Sequence, residues 1–263
     1  MPVIGFIGTG NMGGALAKAA AKGNNSLLLY NRTRAKAEAL AGEIGGTVTD
    51  CAGVVAGADY LFLGVKPQML PAMAGELAPL LKARGSRLVL VTMMAGVSIE
   101  RLLTALDGDY PVIRIMPNTP AAIGQGMILY SCSTAVTAAE EAAFVAAMAG
   151  AGRFLKLEER LIDAGSAVSG SGPAFADLFI EALADGGVAC GLPRKQAQEM
   201  AAQMLLGSAA LVLESGRHPG ALKDAVCSPG GTTIQGVRVL EERGFRGAVM
   251  DAVISTYEKN LKL

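Results

Sequence analysis

Gly8-Thr9-Gly10-Asn11-Met12-Gly13 follows the apolar run Val3 to Ile7 without a break and leads straight into the helical-period run Gly14 to Ala21. A strand that must turn at once into a helix, with three glycines at the turn, has few folds open to it. Gly8 allows the tight turn, Gly10 lets a ligand approach the backbone, and Gly13 lets the helix pack closely on the strand. Free N–H groups at the helix start then face outward from the turn, where they suit a pyrophosphate. Motif and context together are those of a dinucleotide-binding unit. A turn without a ligand is the bland alternative.

The rest of the N-terminal part keeps this rhythm. Short apolar runs at Val3–Ile7, Leu27–Tyr30, Tyr60–Val65, Leu88–Val91 and Val112–Met116 alternate with longer Ala/Leu-rich segments of helical spacing, as stacked βαβ units do. Such nearly all-apolar strands belong in a parallel sheet covered on both faces. Strand signals stop after Leu157. The expected fold is therefore α/β: a Rossmann-type doubly wound sheet over residues 1–157, followed by an all-helical domain over 158–263. Gly172-Pro173 opens a long apolar run to Cys190, Gly191 stands at a helix stop, and Pro193 stands at a first helical turn. Within that run Phe175, Leu178, Phe179, Ile180 and Leu183 occupy more than one helical face, so the helix needs cover on several sides. In a domain of about a hundred residues a second copy of the chain is the expected cover; burial within its own subunit is the alternative.

Composition narrows the function. The 23 basic residues balance 23 acidic ones, which gives no electrostatic surface for nucleic acid or anionic lipid and favours a small-molecule partner. No basic leader, cleavage signal or membrane-length apolar stretch is present, so a cytoplasmic location is expected. Cys51, Cys132, Cys190 and Cys227 are far apart, and His218 is the only histidine; no metal site is expected, and packing is the default role for each cysteine.

Cofactor choice falls to the end of the second strand, where NAD enzymes place a carboxylate against the adenosine 2′-hydroxyl. Here the chain reads Asn31-Arg32-Thr33. A guanidinium beside a hydroxyl suits a 2′-phosphate, so NADP(H) is expected, with NAD(H) at lower preference; Arg32 as a solvated turn residue is the alternative. Val65-Lys66-Pro67 and Ala95-Gly96 follow two further strands, on the edge where doubly wound sheets bind ligands, and are expected to line the nicotinamide ribose. Lys66 invites a catalytic role, although a lysine before proline at a strand end more often positions or merely faces solvent.

Two small-residue segments in the helical half, Ser169-Gly170-Ser171-Gly172-Pro173-Ala174 and Ser228-Pro229-Gly230-Gly231-Thr232-Thr233, precede helical runs. Each is expected to offer unpaired N–H groups and hydroxyls to a carboxylate; helix caps with no ligand are an equally good reading of the pattern. With these segments, the glycine fingerprint, Asn31-Arg32, Leu61-Phe62-Leu63-Gly64-Val65-Lys66-Pro67, Arg114-Ile115-Met116-Pro117-Asn118-Thr119-Pro120, Phe179-Ile180-Glu181-Ala182-Leu183-Ala184-Asp185 and Leu222-Lys223-Asp224, the chain resembles the pyrroline-5-carboxylate reductases nearly end to end.

That resemblance implies NAD(P)H-dependent reduction of 1-pyrroline-5-carboxylate to L-proline, by hydride transfer to the carbon of a cyclic C=N bond. It implies that Ser228, Gly230, Gly231 and Thr232 receive the substrate carboxylate and that the Thr233 hydroxyl, the one catalytic side chain expected, meets the ring nitrogen. It also implies a homodimer with interlocked helical domains, sometimes assembled further. Cys51 departs from the family pattern, standing where an asparagine is expected against the adenosine ribose. No buried acid–base pair can be read from the sequence, and His218 lies in a Gly-Arg-His-Pro-Gly turn; a cyclic imine protonated in solution is already electrophilic, so orientation is expected to be the mechanism. A β-hydroxyacid dehydrogenase would need a lysine base, for which the helical half offers no convincing motif. A non-catalytic NADP sensor would have no use for a second anion site.

Overall fold

The computed structural model describes residues 1–262. In chain order the first part contains β1 (Val3–Ile7), α1 (Asn11–Lys22), β2 (Ser26–Tyr30), α2 (Arg34–Ile44), β3 (Thr47–Val48), α3 (Cys51–Gly57), β4 (Tyr60–Leu63), α4 (Leu70–Ala83), β5 (Val89–Thr92), α5 (Ile99–Leu106), β6 (Val112–Met116), β7 (Gly126–Cys132), α6 (Ala138–Ala147), β8 (Gly152–Lys156) and α7 (Ile162–Ser169). The strands form one sheet in the order β3-β2-β1-β4-β5-β6-β7-β8. All neighbours run parallel except β6 and β7. Strand order reverses between β1 and β4, which makes their C-terminal ends the switch point where such sheets leave a crevice.

Both faces are covered, and the strand sequences show why. In β4 every residue is buried: Tyr60 and Phe62 join the core with α1 and α6, while Leu61 and Leu63 join the core with α3, α4 and α5. Phe6 stacks on Phe62 at 4.6 Å, and Phe144 of α6 closes on Phe154 edge-on at 5.7 Å. Each such side chain contributes about 1.5–3 kcal/mol by leaving water. Helix ends are set locally: Ser98 Oγ accepts from Arg101 N–H at 3.1 Å to start α5, and Gly45, at φ +77°, stops α2.

The five expected strands are present, with Tyr60–Val65 ending at Leu63 and Leu88–Val91 shifted by one residue. Three more were not anticipated. β3 is too short to carry a period. β8 is an edge strand with a largely solvated alternation, and β7 reads as an apolar stretch that periodicity cannot tell from buried helix.

The change from strand to helix does fall after Leu157, yet the chain's compact units divide further on: Met1–Ser171 with the last turns from Thr256 form one, and Gly172–Ser255 the other. In the first unit Asn260 Nδ2 donates to the Asp163 carbonyl at 3.3 Å. The second unit contains α8 (Gly172–Ala189), α9 (Arg194–Ser215), α10 (Pro219–Val226), α11 (Thr232–Glu242) and the start of α12 (Phe245–Asn260). Gly191, at φ +97°, ends α8: its N–H bonds to Val188 O and Leu192 N–H reaches Gly187 O, the Schellman arrangement. Pro193, expected at a first helical turn, is the N-cap residue of α9, its carbonyl accepting from Ala197 N–H at 3.0 Å. Of α8 only Ala184 is buried, against a seam where α9 buries Ala197 and Ala201. Leu178 is 64% exposed, and Leu183, Met200, Leu213 and Met250 are also exposed, so burial of α8 within its own subunit does not occur. No described helix is long and apolar enough to cross a membrane.

Glu140 binds α6 to the sheet. It completes a capping box with Thr137 and accepts from Arg87 Nη2 at 3.0 Å. The Arg87 hydrogen bond is the main reason its carboxyl is held down to about 2, from an ordinary 4.5. A carboxyl depressed by folding stabilises fully above its ordinary value and loses that contribution as pH falls toward the folded one. Glu140→Gln is expected to cost roughly 1–3 kcal/mol at neutral pH. The gap in urea midpoint between the two proteins should narrow as pH is lowered from about 5 toward 2.

Candidate active site

At the end of β1 the backbone is packed as closely as glycine permits. Gly8 has φ +98°, donates to Tyr30 O at 2.8 Å, and would place a Cβ 2.4 Å from Gly64 O. A Cβ on Gly13 would lie 2.2 Å from Gly8 O. Gly10 differs: a Cβ there meets nothing within 4 Å. It caps α1 without a side-chain bond, so the first N–H groups of α1 have no acceptor within the helix. Beside them Thr9 Oγ1 is buried with no hydrogen-bond partner among the described residues, while Thr9 N–H donates to Asn31 Oδ1 at 3.1 Å and Asn31 Nδ2 to Thr33 O at 3.0 Å. An orphaned buried hydroxyl next to open main-chain donors fits a bound pyrophosphate. Asn31 therefore ties the glycine turn to the β2 end, a use beyond contact with a ligand.

Arg32 is exposed and makes no hydrogen bond or ion pair among the described residues, whereas Arg34 is engaged with Glu38 at 2.7 Å. Cys51, first in α3, is buried, and its thiol is pushed up to about 12 by burial, with Glu76 adding its charge and a hydrogen bond. Lys66 is exposed and opens a 3-10 turn, Met69 N–H donating to its carbonyl. Gly96, at φ +69°, turns the chain after β5, and Arg101 Nη1 donates to its carbonyl at 3.3 Å. Sheet order places these loops in one row along the C-terminal edge: 31–33 after β2, 8–13 after β1, 65–67 after β4 and 95–96 after β5.

The helical unit holds the second expected cluster. Gly230 has φ +66°, Gly231 N–H donates to Ser228 O at 3.0 Å, and a Cβ on Gly231 would lie 2.3 Å from Ser228 Oγ. Gly231 caps α11 without a side chain, and Thr232 and Thr233 are its first two residues, both exposed. The helix thus starts with open N–H donors and a serine hydroxyl folded back beside them, a receptor for one carboxylate.

The other small-residue segment is different from expectation. Gly170 and Ser171 N–H both donate to Ser166 O, Ser169 Oγ donates to Gly165 O, and Asn118 Nδ2 donates to Ser169 O at 2.9 Å. Three of its donors, at residues 169–171, thus close the end of α7 and are not open to a ligand. His218 caps α10, its Nδ1 accepting from Gly220 N–H at 3.0 Å, and Lys223 is paired with Asp224 at 2.7 Å. Among the described residues no three His, Cys, Asp or Glu side chains gather as metal ligands do. Sequence reasoning gave no role to Arg114 and Glu159. The available signal was a lone arginine inside the otherwise apolar strand Val112–Met116.

A family profile described as pyrroline-5-carboxylate reductase dimerisation matches residues 159–263, and one described as NADP oxidoreductase, coenzyme F420-dependent, matches residues 3–96. The pyrroline-5-carboxylate reductase of Escherichia coli K12 is 43% identical over 99% of this chain and 97% of its own length. The chain belongs to the pyrroline-5-carboxylate reductase family. The Pisum sativum member is 40% identical over 99% of the chain and 95% of the relative. The crystal structure of the reductase from Streptococcus pyogenes superposes with a TM-score of 0.88 at 32% identity, covering 100% of this chain and 99% of that one. The Plasmodium falciparum enzyme, solved with NADP bound, gives 0.87 at 28%, covering 99% and 97%. Members of this reductase family are NAD(P)H-dependent oxidoreductases that reduce 1-pyrroline-5-carboxylate to L-proline.

The three glycines separate folding from binding. Gly13→Ala is expected to destabilise the protein by about 1–3 kcal/mol through backbone overlap. Gly10→Ala should keep the thermal midpoint within a few degrees, about 1 kcal/mol or less, yet weaken NADPH binding at least about tenfold, roughly 1.4 kcal/mol. Thermal melts beside fluorescence titration with NADPH check both.

Proposed function

We propose that this chain reduces 1-pyrroline-5-carboxylate with NADPH, and that two sets of main-chain donors do the binding. Residues 8–13 receive the pyrophosphate. Asn31, Arg32 and Thr33 receive the adenosine 2′-phosphate, and Val65, Lys66, Pro67, Ala95 and Gly96 line the nicotinamide ribose. The order of these loops along one sheet edge supports that assignment, since it follows the order of groups along a dinucleotide. Preference for NADP(H) over NAD(H) rests on the unpaired Arg32 and on the absence of a carboxylate in Asn31-Arg32-Thr33. When bound, NADPH supplies the hydride.

The observation that carries the reading is the open start of α11. With Gly231 N–H held by Ser228 O, the turn leaves Ser228 Oγ and the N–H groups of Gly230 and Thr232 for one carboxylate, within a helical domain taken as 158–263. The Thr233 hydroxyl, one residue further into the helix, is assigned to the ring nitrogen, where it hydrogen-bonds the reacting imine and orients the C=N carbon. The imine takes its proton from solvent, so no buried acid is required. Holding the reactants in register is then the chain's main contribution, worth up to roughly 7–11 kcal/mol in favourable cases.

The apolar faces that α8, α9 and α12 leave exposed support a homodimer through the helical domain as the working unit, matching the description of the C-terminal family profile. Four free cysteines suit a reducing cytoplasm.

Mixing the pure protein with NADPH and racemic pyrroline-5-carboxylate should give rapid loss of cofactor absorbance; no loss refutes the reading. Thr233→Ala is expected to lower turnover by one to three powers of ten, in keeping with one positioned polar contact of about 1.5–4 kcal/mol. Arg32→Ala should raise the Kd for NADPH about tenfold or more, as loss of a charge-assisted bond does, and leave that for NADH nearly unchanged. Equal effects on the two cofactors would remove Arg32 from the phosphate site.

A further inference from the structure

Arg114 is 2% exposed in the middle of β6, where its neighbours are apolar. A buried guanidinium needs anions, and it has two. Nη2 donates to Asp163 Oδ1 at 2.7 Å and Nη1 to Glu159 Oε1 at 3.4 Å, while Nε is buried without a partner among the described residues. Asp163 lies in the first turn of α7, and Glu159 in the short 3-10 turn before it.

Glu159 does a second thing with the same oxygen. Its Oε1 accepts from Ile99 N–H at 2.7 Å, a residue 60 positions earlier in the chain. Ile99 is the first residue of α5, and its N–H is one of the groups that no helical carbonyl can satisfy. A carboxylate at that place also meets the positive end of the helix. The segment Met94–Ile99 that enters α5 is thereby fastened at three points: Thr92 Oγ1 accepts from Met94 N–H at 3.4 Å, Arg101 Nη1 donates to Gly96 O at 3.3 Å, and Glu159 holds Ile99. Of these three hydrogen bonds only the last comes from outside the β5–α5 connection, so with the core packing of Met94 and Val97 it sets where the segment stands against the rest of the sheet edge.

We propose that Glu159, steadied by Arg114, is a positioning residue for hydride transfer: it fixes the Ala95–Gly96 turn and with it the nicotinamide end of the cofactor. This rests on the assignment of Ala95 and Gly96 to the nicotinamide ribose made above. Glu159 touches neither cofactor nor substrate in this scheme. The pyrophosphate and 2′-phosphate contacts lie on other loops, so loss of Glu159 should spoil alignment and spare affinity.

Glu159→Ala tests this against Glu159→Gln, which keeps an acceptor for Ile99 N–H, and Asp163→Asn, which disturbs Arg114 but not Ile99. In the cofactor-free protein, hydrogen exchange at Ile99 should accelerate in Glu159→Ala and stay slow in the other two. The kcat of Glu159→Ala should fall roughly tenfold to hundredfold, the scale of a misplacement of about 1 Å, with KM for NADPH changed by less than about threefold, under 1 kcal/mol. Glu159→Gln should restore most of that loss, and Asp163→Asn should lower the thermal midpoint with little change in kcat. Unaltered exchange at Ile99, an unaffected kcat in Glu159→Ala, or kcat losses that track the thermal midpoint across all three variants would overturn the proposal. Should Glu159→Ala not fold, Glu159→Asp, one methylene too short to reach Ile99, takes its place. A wild-type protein that does not oxidise NADPH refutes the assigned reaction itself, whereas wild-type turnover with an indifferent Glu159→Ala refutes only the positioning role.

Discussion

Everything on the dinucleotide side depends on how closely two stretches of backbone approach at the ends of β1 and β4. Gly8 and Gly64 face each other with no room for a side chain on either: a Cβ on Gly64 would fall 2.5 Å from Gly8 O, and one on Gly8 2.4 Å from Gly64 O. That contact brings the start of α1 down against the switch point of the sheet, with Gly13 resting on the same carbonyl. Because glycine occupies all three places, the helix start can carry bare N–H groups where a bulkier turn would cover them. The open Gly10 and the unpartnered Thr9 hydroxyl follow from it.

The helical unit leaves main-chain donors open in the same way, on a single helix start at α11. Neither cluster uses a fixed positive side chain as its main donor. Main-chain donors are neutral and cost little to bury while a ligand is absent, whereas a buried lysine would need a counter-ion. His218 and Lys223 are both spent on local structure, one capping α10 and the other paired with Asp224.

The buried charge in the first unit is of another kind. Arg114 is expensive to bury, and a pair of apolar residues could fill the place at less cost. What an apolar substitute cannot supply is direction. Arg114, Glu159 and Asp163 join β6 to the turn that leads into α7, and Asn118, just past the same strand, holds the far end of α7 through Ser169 O. Both ends of α7 are therefore set by one strand and the residues that follow it.

What the sequence determined by itself was whatever depends on neighbours along the chain. The β1–α1 glycine turn, the five apolar parallel strands, the stop at Gly191 and the open start of α11 were all legible, because a turn, a period or a cap is written within a few residues. The unclosed apolar faces of α8 were legible too, as an excess of Leu and Phe with nowhere to go. Tertiary structure alone decided the rest. Strands β3 and β8 exist through pairing with β2 and β7, not through their own weak patterns. Ser169–Ala174 carries the same small-residue signature as Ser228–Thr233, yet Gly170 N–H, Ser171 N–H and Ser169 Oγ donate to Ser166 O and Gly165 O at the end of α7. Glu159 reaches an amide 60 residues away. Whether a polar group is free or satisfied depends on partners that only folding brings within about 3 Å, and no local pattern in the chain records them.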